Sequence, residues 1–98
     1  MKFALISNHE GGREVPQDEK EAHLKAFGEW LTLINPTVAL PLHGGVAITS
    51  ESVKPYTGGI SGVLIFEAAS LDEAVEKVKK SPGLKYGWTH EVLEEMPM

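Results

Sequence analysis

The chain has 98 residues, enough for one domain spanning 1–98 and too few for two hydrophobic cores. Its formal charge is −5, from nine Lys and Arg against fourteen Asp and Glu, and no basic run exceeds Lys79-Lys80, which argues against contact with nucleic-acid phosphates. With no cysteine there is neither a disulfide framework nor a thiolate metal site, and no stretch approaches the ~20 apolar residues of a membrane span, so the expectation is a soluble cytoplasmic protein without nucleic-acid or membrane partners.

"KFALISN", residues 2–8, is short and apolar and stops at the paired glycines of "HEGGRE", which predicts a first strand in the middle of a sheet. From Gln17 to Ile34 apolar residues recur at 24, 27, 30, 31 and 34, the stripe of an amphipathic helix. Pro16 suits its first turn, where the missing N–H is not needed, and Asn35-Pro36 stops it. His23 lies at the edge of that stripe, beside Phe27, Trp30 and Leu31, and is aimed at the seam between helix and sheet.

Residues 37–53 are rich in β-branched side chains but broken by Pro41 and by Gly44-Gly45, which predicts a bent or bulged second strand or a hairpin. "KPYTGG" reads as a turn. The strand from 60 to 68 has a continuous apolar centre, Val63 to Phe66, and so is expected to be buried on both faces. Ser70 stands three residues before Glu73, a capping box that opens a second helix, with Leu71, Ala74, Val75 and Val78 inward and Glu73–Lys77 and Glu76–Lys80 as outward pairs. Ser81-Pro82-Gly83 ends that helix, and Trp88 to Met96 supplies a last strand.

The order βαββαβ folds into a ferredoxin-like α+β domain, a four-stranded antiparallel sheet with both helices on one face. The other face is then an apolar surface too large for a monomer to leave in water. Packing two such faces together gives a homodimer, a dimeric α+β barrel with space for a ligand at its centre or ends.

"EAHLKAFGEWLTLI", "GGISGVLIFEAASLDEAVEKVKKSPGL" and the later "HEV" resemble the YCII-related, or DGPF-domain, family of the dimeric α+β barrel superfamily, over nearly the whole chain. The signature Asp-Gly-Pro-Phe corresponds here to Val53-Lys54-Pro55-Tyr56, the helix stop that often reads Cys-Pro is Ser81-Pro82, and Leu93-Glu94-Glu95 follows Glu91-Val92 with no arginine. An anion-binding role for that arginine does not transfer. The resemblance implies that His23 matches a histidine on the first helix for which acid/base chemistry is suggested. The family's partner aspartate has no counterpart: Asp18 and Asp72 both stand at helix starts, where capping explains them.

An imidazole takes and gives protons near neutral pH, which makes His23 the first catalytic candidate; the alternative is a half-buried ring bonded to a backbone carbonyl or a carboxylate. His43, in the expected bulge, is the second, to orient or polarise a substrate. His9 and His90 complete the histidines, but no HxH, HxxxH or HExxH spacing occurs, so no metal is expected. The glycine clusters make no dinucleotide fingerprint, and no cofactor is expected. Trp30 is read as a core or interface anchor, while Trp88 divides evenly between that role and stacking on a ligand. Phe27 and Tyr56 are read as apolar walls, and Ser61 as part of a cleft mouth. Glu94 and Glu95 are surface charge.

Two functions follow. The first is a cofactor-independent enzyme of lyase or isomerase type, in which His23 moves a proton on a compact organic substrate. The second is a non-catalytic dimer that binds a small metabolite or serves as an accessory subunit.

Overall fold

The computed structural model describes residues 1–97. Strand β1 (Lys2–Asn8) leads through a 3-10 turn (Gln17–Glu19) into helix α1 (Lys20–Ile34). Strands β2 (Val38–Pro41), β3 (Val46–Ile48), β4 (Val53–Pro55) and β5 (Ile60–Glu67) follow. Helix α2 (Leu71–Val78), a second 3-10 turn (Leu84–Tyr86) and β6 (Thr89–Glu94) complete the chain. The main sheet is antiparallel, in the order β2-β5-β1-β6. This is the ferredoxin-like α+β fold, with the β3–β4 hairpin added between its second and third sheet strands.

The hairpin resolves the ambiguous stretch 37–53 and corrects the expected turn at "KPYTGG". Gly44 and Gly45 take φ of 68° and 134°, a backbone that favours glycine, and so end β2. The chain then pairs with itself, Val46 opposite Pro55 and Ile48 opposite Val53, which makes Lys54 and Pro55 strand residues. Pro41 closes β2 on the sheet's edge, where a missing donor is tolerated. Pro16 stands just outside the helical turn it was expected to join, with ψ of 148°. The last strand ends at Glu94 rather than Met96, with the Glu95 N–H still donating to the Lys2 carbonyl at 3.0 Å.

The core lies between the sheet and the helices. Phe3 faces Phe66 and Leu5 faces Leu64 in the β1–β5 register, and Trp30, Ile34, Ala74 and Val78 close over them. Each large side chain buried there contributes roughly 1.5–3 kcal/mol. Ser70 caps α2, its Oγ accepting from the Glu73 N–H at 3.1 Å, and Lys77 pairs with Glu73 at 3.2 Å. Glu76 pairs with Lys79 at 3.2 Å instead of Lys80. Only Ala74 and Val78 of that helix are buried; Leu71 and Val75 stay partly exposed.

Alternation puts Ala4, Ile6, Val63, Ile65, Val38, Leu40 and Leu93 on the face turned away from the helices. Val38, Leu40 and Leu93 are about half exposed, at 43, 52 and 53%. The expectation of β5 buried on both faces is thus half met within one protomer.

Candidate functional site

The residues facing the helices shrink along the sheet. In β1 the series is Phe3, Leu5, Ser7, and opposite it in β5 Phe66, Leu64, Gly62. Ala39 and Pro41 continue the small end across β2. Helix α1 lies over this face. Its Trp30 and Ile34 meet the large end and are buried, whereas Phe27 and His23, one and two turns earlier, overhang the small end. The mismatch leaves a cavity of about 410 Å³, lined by Ser7, His23, Phe27, Trp30, Leu64, Trp88 and His90 among others. It lies inside one protomer, between the sheet and α1.

His23 enters from the roof. Its Nδ1 is buried and has no hydrogen-bond partner among the described residues, neither the backbone carbonyl nor the carboxylate of the alternative reading. Its ring meets Tyr86 and Trp88 edge-on, each at 5.4 Å between centroids, and lies roughly parallel to Phe27 at 6.3 Å. Aromatic walls therefore fix the imidazole without occupying its nitrogen. A buried, unpaired ring nitrogen costs free energy that a ligand's polar group would recover.

His90 forms the opposite pole. Its Nδ1 lies 2.9 Å from Ser7 Oγ and its Nε2 2.7 Å from Ser81 Oγ, and each hydroxyl can donate or accept, so the neutral ring is satisfied at both nitrogens in either tautomer. Burial lowers the pKa of His90, and the charge of nearby His9 lowers it further. His9 is lowered too, by burial and then by His23. Its ring stacks on Trp88 at 3.9 Å.

Trp88 is held from several sides. Its Nε1 donates to the Arg13 carbonyl at 2.9 Å, and Gly12 passes so close that a Cβ there would stand 2.6 Å from the indole. Trp30 serves core and cavity together, with its Nε1 donating to the Lys77 carbonyl at 3.0 Å and its ring stacked on His90 at 5.6 Å. Ser61 lines the cavity and donates to the Ser7 carbonyl at 3.4 Å. His43 and Tyr56 lie elsewhere. His43 is exposed on the segment after β2, and the Tyr56 hydroxyl accepts from the Ile60 N–H at 3.2 Å, holding the turn that leads into β5. Among the described residues no group of three His, Cys, Asp or Glu side chains is placed to hold a metal ion.

Ser7 and Tyr86 were not singled out from the sequence, and Ser81 only as part of the helix stop. Ser7 had a signal, the end of the alternating series Phe3, Leu5, Ser7; Tyr86 and Ser81 had none, because irregular backbone brings them in.

No family model matches the chain, and no curated protein matches it. Solved structures do. One is the 5-chloro-2-hydroxyhydroquinone dehydrochlorinase TftG of Burkholderia phenoliruptrix AC1100, in complex with 2,5-dihydroxybenzoquinone, with a TM-score of 0.62 and 20% identity over 100% of this chain and 96% of that one. At that identity the likeness shows a shared fold.

Proposed function

We propose that the protein is a cofactor-independent enzyme of lyase or isomerase type, in which His23 carries a proton to or from a compact ring-bearing substrate. The observation that carries the reading is His23 on the lining of an apolar cavity, with a buried Nδ1 that has no hydrogen-bond partner among the described residues. A neutral imidazole there accepts a proton from a substrate C–H or O–H and returns it at another atom, or passes it to solvent after a leaving group has departed with its electron pair. Phe27, Trp30 and Leu64 exclude water, and Ser7 with His90 offers a second polar contact. Two likenesses support this reading: the match of His23 to the YCII-related histidine, and the fold shared with an enzyme that eliminates chloride from a hydroxylated ring.

The same reading includes a homodimer. Pairing two outer faces through Ile6, Val63 and Ile65 would cover the apolar surface that one protomer leaves in water.

A second reading rests on one specific observation: among the described residues no carboxylate lines the 410 Å³ cavity to orient His23, as a metabolite-binding or accessory dimer would permit. Deuterium exchange separates the two. 2,5-Dihydroxybenzoquinone is incubated with the protein in D2O, with binding read from tryptophan fluorescence and ring-proton exchange from 1H NMR. The enzyme reading expects binding and accelerated exchange in the wild type, and binding without acceleration in His23→Asn. Binding with no acceleration in the wild type establishes the second reading; no binding removes both.

A further inference from the structure

A second depression adjoins the cavity and opens on the other side of the same side chains. It encloses about 570 Å³ and is lined by Gly12, Arg13, Glu14, Val15 and Lys20 together with His9, His23, Leu24 and Trp88. The last four residues also line the inner cavity, so the two spaces adjoin at His23 and Trp88. Their chemistry differs. The inner space is aromatic and aliphatic; the outer one gathers two permanent cations in a chain whose net charge is −5.

Neither cation is neutralised. The ion pairs among the described residues are Lys77–Glu73, Lys79–Glu76 and Lys85–Glu19, and none involves Arg13 or Lys20. Arg13 is nonetheless held in place, with its guanidinium over the Tyr86 ring at 4.8 Å. Tyr86 is itself fixed, buried and donating to Glu19 Oε1 at 3.0 Å, and it meets the His23 ring with its edge. The loop carrying Arg13 is tied down by backbone atoms, the Arg13 N–H donating to the Tyr86 carbonyl at 2.8 Å and its carbonyl accepting from Trp88. Five N–H donors on a restrained arm match the geometry of a carboxylate. Glu14, the one carboxylate in this lining, limits the attraction.

We propose that Arg13 and Lys20 form an anion-binding mouth to the histidine-lined cavity, so that the ligand is a compact ring acid whose ring enters past His23 and whose carboxylate stays with the two cations. The proposal rests on the functional reading of the inner cavity and names the class of molecule it takes.

The test compares benzoate with benzamide, nearly the same shape with and without charge, using tryptophan fluorescence because Trp30 and Trp88 both line the inner cavity. Wild type is expected to bind benzoate about tenfold more tightly than benzamide, the scale of a charge-assisted contact. Added salt should erode that preference, the double variant Arg13→Gln with Lys20→Gln should abolish it, and Glu14→Gln should enlarge it. Benzamide affinity should stay constant throughout, which also shows that the variants fold. Equal binding of the two probes by wild type, or a preference that survives in the double variant, overturns the anion-binding mouth while leaving the cavity intact. If neither probe binds, the inner cavity is no ring site, and both readings fall.

Discussion

At the scale of the residue, the site is a contrast between two histidines. His90 has a hydroxyl on each nitrogen, whereas His23 has a buried nitrogen with no hydrogen-bond partner among the described residues. The consequence for His90 is a pH dependence of defined sign. Burial, and secondarily His9, lower its folded pKa below the usual 6.5, so below that pH the unfolded chain binds more protons than the folded one. Stability from this group is therefore whole above pH 6.5 and declines as pH falls toward the depressed value. Thermal melts between pH 7.5 and pH 5 (about the range in which a histidine titrates) should show the melting temperature falling, and His90→Gln should flatten the slope. An unchanged slope in the variant would remove His90 as its source. Trp30 offers a second check: Trp30→Ala should cost about 3–5 kcal/mol in urea unfolding, because it loses core packing as well as the bond to Lys77.

The elements differ in how firmly they are anchored. Ser70→Ala removes the acceptor of the Glu73 N–H and should lower stability by about 1 kcal/mol, read by chemical denaturation. The β3–β4 hairpin is a separate two-stranded unit with Val46, Ile48 and Val53 exposed, and such hairpins are marginal in water. Its amides should exchange far faster than those of Phe3 and Leu5 in β1; equal protection would mean that something covers the hairpin. This is also where sequence and structure part most clearly. Period-2 and period-3.6 patterns locate β1, α1, β5 and α2 because each buries one face, and the periodicity records that burial. Residues 46–55 bury nothing, so their alternation carries no core signal, and the strand at Lys54-Pro55 is hidden inside what reads as a turn. His23 and Phe27 were legible for the same reason as Trp30, by their place on the α1 stripe. The cavity was not, since it arises from Ser7 and Gly62 meeting across two strands far apart in sequence.

For the whole molecule, a radius of gyration of 14.9 Å exceeds the roughly 13 Å of a compact chain of this length, and the long dimensions of 43 × 43 Å against 19 Å describe a slab. On the homodimer reading, sedimentation should give twice the chain mass, and Ile65→Glu, a charge placed on the outer face, should shift the protein to monomer while leaving the helix-side core untouched. A wild type that stays monomeric at micromolar concentration would remove the dimer, but not the cleft, because the cleft lies on the opposite side of the sheet. There the functional account depends on a single atom. With imidazole nitrogens labelled with 15N, titration of 2,5-dihydroxybenzoquinone should move the Nδ1 resonance of His23 far more than either nitrogen of His90, as a free nitrogen gains its first partner. A Nδ1 signal that stays still while the compound saturates the protein would contradict the account.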